Sequence, residues 1–574
     1  MALSAIRGRV LRLALVFSGV FAFSVPAFSA SAPKPNVILI TLDGTRADRV
    51  GFLGSKNPTP ALDALAKQSI IFERACAQAP LTIVSHATIL SGTYPQTHHA
   101  SELGASLAPS LPYLPDLLHS RGYRTAAFVG STELDPRNGL ASGFDRGFDT
   151  YDAGSRQAQG GKAGTTGSGS SPAQVIAGAA AWLKARPQAP FFLWINLNSP
   201  LVSTVASYDR GVNANDTALS GLVSALRAQK LLDDSIVVVT ADHGEGLGTH
   251  GEDSHGIFLY DETTHVPLLV KLPENQLAGK RVKGLARLVD VASTILEIAG
   301  IPVPSQMQGQ SLLRIAKASG DAGQPVYART DFPHEAFGWS SLESWRTGKY
   351  LYIRAPKPEL YDLSSDPNAT HNLAQSSKAT FDTIASQLAA FDSHFEGTSK
   401  DSGTGLTSSE MQKLASLGYV GLQKTAPSGA AAVSGADPKD VIADANKTLS
   451  AMRALDDGKL ENAITAFRQL LSAEPDAYMA HYGLGVALAR RQQYKEATQH
   501  LHQAIELRPD SALAQYEMGL ALMKTGDFKT AAVHLEIASS RLPSFVPAHA
   551  SLADTYDRLG RKQDAKAERA KAGK

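Results

Sequence analysis

The chain has 574 residues, too many for a single hydrophobic core, so two or three domains are expected. Hydrophobic residues make up 43% and charged residues 19%, and the formal net charge of +1 leaves no overall field to recruit nucleic acid or an anionic surface. A single cysteine, Cys76, excludes a disulfide framework and a cysteine-based metal cluster, and its apolar surroundings read as those of a buried, inert thiol.

The N-terminus has the pattern of an export signal. Arg7, Arg9 and Arg12 precede an uncharged apolar run at 13–25, and small residues follow around Ala27, Ser29 and Ala30. Residues 1–30 are expected to be a cleaved signal peptide, which makes the body of the protein periplasmic or secreted. The competing reading is an uncleaved anchor, because residues 13–32 approach the roughly 20 residues of a bilayer span. Membrane attachment is expected only in that case. With no cysteine in this stretch, a lipoprotein anchor is excluded.

From residue 36 strands and helices alternate. Residues 36–42 (NVILITL) are apolar and of strand length, and helical periodicity follows at 60–68. Further strand-like runs lie at 70–75, 125–130, 190–197, 235–241 and 266–272. Near-continuous apolar runs between helices predict a parallel sheet buried on both faces, with chemistry gathered beyond the carboxyl ends of the strands. The Gly/Ser-rich stretch 153–171 reads as a surface loop, and the Ala/Gly/Ser/Pro-rich stretch 421–436 as an interdomain linker.

After the linker a 34-residue period appears. Ala463, Ala497, Ala531 and Ala565 keep it, as do Pro475, Pro509 and Pro543, and Gly485, Gly519 and Ala553. Tyr482 and Tyr516 repeat it, as do Gly526 and Gly560. Small residues let two helices approach closely, and proline stops the second. This matches the tetratricopeptide pattern, in about four units. Such arrays offer a surface to a protein partner, the alternative being a spacer or self-association arm.

Three polar clusters fall where strands should end: Asp43-Gly44-Thr45-Arg46, the run from Pro80 to Gly92, and Asp242-His243-Gly244-Glu245 with His250 and His255 beyond. Asp43, Asp242 and His243 each follow an apolar strand directly or at one remove. Oxygen and nitrogen ligands at adjacent strand ends can hold one divalent cation and leave a position open. The plainer alternative is loop Asp and His at the surface. Thr82 opens a helical run that ends at Gly92. Its hydroxyl would lie where free N–H groups favour anions, and a bound metal would favour its alkoxide. It could equally serve only as a helix cap.

These clusters, in order, resemble the sulfatase family of the alkaline phosphatase superfamily. The resemblance rests on Leu42-Asp43-Gly44-Thr45-Arg46-Ala47-Asp48, Pro80-Leu81-Thr82-Ile83-Val84-Ser85-His86 through Gly92, and Ala241-Asp242-His243-Gly244-Glu245. It continues in Tyr260-Asp261-Glu262 with Val266-Pro267-Leu268-Leu269, and in Glu359-Leu360-Tyr361-Asp362 with Asp366-Pro367 and Asn372-Leu373. The implied fold is an α/β sandwich of alkaline phosphatase/sulfatase type with a mostly parallel central sheet, followed by an all-α tetratricopeptide solenoid. The expected bounds are 34–420 for the first domain, 421–440 for the linker and 444–574 for the repeats.

The resemblance implies a metal-dependent hydrolase of sulfate or phosphate esters, acting on a small-molecule or glycan ester. Asp43, Asp242 and His243 match the family's metal ligands. Thr82 takes the nucleophile position, which also contacts the metal. One divalent ion is expected; His243 suits zinc or manganese, and carboxylates alone would suit calcium. His86, His250 or His255 would supply the acid, with His255 near the position of a family lysine. The departures are specific. The family oxidises Cys or Ser to formylglycine, whereas threonine cannot follow that route and is instead the nucleophile in related phosphodiesterases and phosphoglycerol transferases. Val84 stands for a proline, His86 for an arginine and Gly44 for a frequent second aspartate. Asn198-Ser199-Pro200-Leu201 lacks the histidine of a frequent Asp-Pro-His. Three functions follow: a sulfatase-like hydrolase, a phosphodiesterase or phosphotransfer enzyme, and an inactive scaffold that binds a partner through its repeats.

Overall fold

The computed structural model describes residues 34–573 apart from 105, 155–168, 186, 188–189, 199–203, 319–322, 395–405, 418 and 420–434. The expected signal peptide, most of the 153–171 stretch, most of the linker and Ser199-Pro200-Leu201 lie outside the described residues.

Eight strands form one sheet: β1 (Val37–Leu42), β2 (Ile70–Cys76), β3 (Arg124–Val129), β4 (Thr150–Asp152), β5 (Phe191–Leu197), β6 (Ile236–Ala241), β7 (His265–Lys271) and β8 (Arg281–Arg287). Their order is β4-β3-β5-β1-β6-β7-β2-β8. The apolar runs land on the strands as expected, and every residue of the central strands β1, β5 and β6 is buried. Burying a Val, Leu, Ile or Phe fully contributes about 1.5–3 kcal/mol, so this sheet is the stable platform of the domain. One expectation is corrected. β7 runs antiparallel to both β6 and β2, while the other pairs are parallel. The chain leaves β6 into the 242–264 segment and enters β7 from the same end of the sheet, with no crossover to restore the direction.

A second, four-stranded antiparallel sheet comprises β9 (Val326–Thr330), β10 (Leu342–Thr347), β11 (Tyr350–Arg354) and β12 (Glu359–Asp362). Thr347 faces Tyr350 across the β10–β11 turn, and Gly348 there adopts φ +55°, the left-handed value such a tight turn needs. The Glu359–Asp362 motif is the last strand of this sheet.

The repeats form eight helices from Pro438–Asp456 to Lys562–Ala572, in four pairs. The first begins at Pro438, inside the expected 421–440 linker, with the Asp437 side chain accepting the Lys439 N–H at 3.0 Å. The small residues act as their period implied. A methyl on Gly485 would lie 2.7 Å from Leu501 Cγ, and one on Gly519 would lie 2.6 Å from Leu535 Cγ, 34 residues later. The proline carbonyls accept in step: His481 Nε2 meets Pro475 O at 2.8 Å, Gln515 Nε2 meets Pro509 O at 3.2 Å, and His549 Nε2 meets Pro543 O at 3.1 Å.

The array is docked on the first domain. Tyr419 stacks on His502 with ring centroids 4.3 Å apart, Lys413 pairs with Glu536 at 2.6 Å, and Arg541 pairs with Glu410 at 3.0 Å. Nearer the sheet ends, Asn446 Nδ2 donates to Gly251 O at 2.7 Å and Lys439 pairs with Glu359 at 2.7 Å. One apolar cluster runs from Leu81 and Val84 through Phe332 and Trp339 to Tyr478, Leu501 and Met518.

Candidate active site

The register of β1 and β6 builds the centre of the site. Leu42 lies beside Ala241 in this parallel pair, so the next residues, Asp43 and Asp242, emerge abreast. Gly44 then turns the chain at φ +58°, and the turn is fixed by Tyr208, whose hydroxyl donates to Gly44 O at 2.7 Å and accepts the Arg46 N–H at 2.8 Å. Two backbone N–H groups, of Gly44 at 3.0 Å and His243 at 2.8 Å, donate to Asp242 Oδ1. Asp242 Oδ2 is buried with no hydrogen-bond partner.

His243 is oriented by its other nitrogen. Nδ1 donates to Gly244 O at 2.7 Å, which leaves the Nε2 lone pair facing the cluster. Nε2 lies 3.6 Å from Asp242 Oδ2 and 3.8 Å from Asp43 Oδ1, and one ligand atom from each of the three residues lies within 4.8 Å of the others. Burial, reinforced by Asp242 and Glu133, pushes the Asp43 carboxyl well above its usual range. Burial also raises Asp242 and drives His243 down to about 3. Buried like charges, a neutral imidazole and an orphaned carboxylate oxygen fit a divalent cation, which would offset each of these costs.

Thr82 is the first residue of α2 (Thr82–Ser91), after α1 (Pro60–Ala66). Leu81 is the N-cap residue and makes no side-chain cap, and the Thr82 hydroxyl is not spent as one. Its Oγ1 instead lies 3.1 Å from His243 Nε2. Asp43, Asp242, His243 and Thr82 therefore meet, although they come from three separate segments.

The histidines divide. His86, one turn after Thr82, is fully buried: Nδ1 donates to Thr82 O at 2.7 Å and Nε2 accepts from Thr41 Oγ1 at 2.9 Å. Its Nδ1 also lies 3.5 Å from Asp242 Oδ2, so it braces both Thr82 and Asp242 from beneath. His255 packs on His243 with centroids 4.2 Å apart and the rings tilted by 37°, and it faces Glu245 at 3.3 Å. Burial would discharge His255, but the Glu245 carboxylate, with Asp43 and Glu133, holds it cationic with its pKa raised to about 10. His250 sits elsewhere, on Glu262 and Ala369 O, stacked on Tyr260 at 3.8 Å.

Two residues escaped the sequence reading. Glu102 Oε2 accepts the Ile83 N–H at 3.0 Å, and Glu133 has the Thr82 hydroxyl as a hydrogen-bond partner. Burial lifts Glu102 to about 8, with Glu133 adding to it. After desolvation, the strongest influences on Asp43, Asp242, Glu102 and Glu133 are one another, backbone N–H groups, Thr82, Glu245 and the histidines, with no lysine or arginine among them.

Comparison with known proteins matches three stretches of the chain. Residues 35–301 match the sulfatase family, residues 251–392 match the C-terminal region of N-sulphoglucosamine sulphohydrolase, and residues 448–512 match the tetratricopeptide repeat. Arylsulfatase K of Bos taurus is 34% identical over 184 residues, 30% of this chain; the chain spans only 33% of that relative's length. An ulvan-active sulfatase of Formosa agariphila is 25% identical over 419 residues, covering 62% of this chain and 80% of that protein. The phosphonate monoester hydrolase of Agrobacterium radiobacter shares the fold with a TM-score of 0.53 at 19% identity, covering 63% of this chain and 96% of that one. The first domain is thus similar to the sulfatase family over residues 35–301, and the C-terminal helices are similar to tetratricopeptide repeats.

Proposed function

We propose that the first domain is a metal-dependent hydrolase of sulfate esters in which Thr82 is the nucleophile. The observation that carries this reading is the 3.1 Å approach of Thr82 Oγ1 to His243 Nε2 inside the Asp43–Asp242–His243 cluster. Asp43, Asp242 and His243 would hold one divalent ion, which supplies Lewis-acid stabilisation of charge on the hydroxyl and on the ester oxygens. Thr82 attacks the ester sulfur, its proton passing to the facing carboxyl of Glu133. His255, held as a cation by Glu245, donates a proton to the leaving alcohol. His86 positions rather than reacts, because both its ring nitrogens are bonded inside the fold. The N-terminal pattern supports a site of action outside the cytoplasm, and the ulvan-active relative favours a glycan ester.

A second reading, phosphodiester hydrolysis, is favoured by the Glu102 and Glu133 carboxyls beside Thr82. They disfavour a dianionic phosphate monoester but tolerate a monoanion, and sulfate monoesters and phosphodiesters are both monoanions. Assay of the mature protein on aryl sulfate, aryl phosphate and aryl phosphodiester with added divalent metal separates the readings. Hydrolysis that collapses in Thr82→Ala supports the nucleophile, and the preferred ester names the reaction. Equal rates in both proteins, or no hydrolysis by either, overturn the assignment.

A further inference from the structure

Thr82 begins a ten-residue helix whose first N–H groups have no cap from their own turn, an arrangement that draws an anion. The acceptor present is the Glu102 carboxyl, whose Oε2 takes the Ile83 N–H at 3.0 Å from 19 residues along the chain. The same site contains a fully buried acceptor with no partner, Asp242 Oδ2, 3.6 Å from the His243 nitrogen that Thr82 faces. The centre is therefore built for a cation and an ester anion together, and one helix-end donor that the ester would use is already engaged.

Glu102 is tethered from outside the site. Its neighbour Ser101 donates from Oγ to Glu335 Oε2 at 2.5 Å and accepts the Leu103 N–H at 3.2 Å, which sets the turn that presents Glu102. Glu335 belongs to the helix Phe332–Phe337. The same Glu335 Oε2 lies 3.7 Å from Arg508 Nη1 of the repeat array. Arg508 is in turn held by Asp510 at 3.0 Å and lies over the Tyr478 ring at 5.5 Å. A continuous set of contacts thus runs from the array through Glu335 and Ser101 to the start of α2.

We propose that the Glu102 carboxyl is an internal stand-in for a substrate oxygen, seated at the start of the Thr82 helix and held there by the repeat array through Arg508, Glu335 and Ser101. The proposal rests on the reading of the Thr82 site as one that binds an anionic ester. With Glu102 in place, the Ile83 N–H is taken and a carboxyl faces the incoming ester. When Glu102 withdraws, the N–H is freed for the ester. The array thereby acts as a specificity element of the site, and whatever loosens its hold on Glu335 admits the anion.

The test is calorimetric binding of inorganic phosphate to the manganese-loaded full chain. Phosphate should bind Glu102→Ala at least about tenfold more tightly than wild type, and Glu102→Gln should gain less. Arg508→Ala, which leaves Glu102 intact, should shift affinity in the same direction by a smaller factor. Equal affinity in wild type and Glu102→Ala overturns the proposal. So does an absence of phosphate binding in every variant that keeps its melting temperature and metal content. A gain in Glu102→Ala with no change in Arg508→Ala removes the array from it. Should Glu102→Ala fail to fold, Glu102→Gln and Ser101→Ala carry the same comparison. Hydrolysis that depends on Thr82 but not on Glu102 leaves the hydrolase reading standing and sinks this one; a phosphate gain with no hydrolysis by any variant does the reverse.

Discussion

The sheet-end site and the repeat array solve burial in opposite ways. At the site, Asp43, Asp242 and Glu102 crowd together with carboxyls pushed up by burial, and Asp242 Oδ2 goes without a partner. In the array, His481, Gln515 and His549 recur at a fixed spacing, and each meets a proline carbonyl. The difference teaches where function lies. The array is held together by its own contacts, whereas the site carries an electrostatic cost that only a ligand relieves.

Variants can break that contrast in order of expected effect. With Thr82 as the proposed nucleophile, Thr82→Ala should lower kcat/KM by at least about 10³-fold with no loss of melting temperature, since the hydroxyl does not cap α2. Phe467→Ala should do the opposite. This ring is fully buried against Gly483, and its removal should cost about 3–5 kcal/mol in the array while leaving metal affinity at the site unchanged. Manganese at about 100 times its dissociation constant should stabilise the first domain by about 2.7 kcal/mol, and Asp242→Ala should erase that gain. The same manganese should not change the unfolding of the array.

The smallest effect concerns His250. Burial opposes its charge, but the Glu262 hydrogen bond and attraction outweigh burial and raise its pKa. A raised histidine stabilises fully below its unfolded pKa of about 6.5, and that contribution is lost as pH rises through the folded value. His250→Asn tolerates the left-handed backbone at φ +52°. It should therefore be less stable than wild type in acid, with the gap narrowing on the alkaline side. A gap that is constant with pH would assign the whole effect to lost stacking on Tyr260.

What the sequence disclosed follows the physics of each feature. Asp43, Asp242 and His243 were legible because each stands at the end of an unbroken apolar run, where a parallel sheet exposes its chemistry. The array was legible because close helix contact demands a small residue at Gly485 and again at Gly519. Glu102 and Glu133 carry no such signature; they lie in a loop and a short turn, and only the fold brings them to Thr82. The antiparallel course of β7 was hidden because a buried central strand is apolar whichever way it runs. The strands β9–β12 are short and half-polar, so Glu359–Asp362 was recognisable as a motif but not as the edge of a sheet. Docking of the array was equally hidden, since Arg508 and Glu335 are ordinary surface residue types until the fold pairs them.

The most direct test of the account is the metal stoichiometry of the purified full chain after loading with manganese and removal of excess. One ion per chain in wild type, lost in Asp242→Ala and His243→Ala but kept in Glu102→Ala, is the predicted result. No bound ion in a folded wild type, or an ion that survives both ligand substitutions, would contradict it.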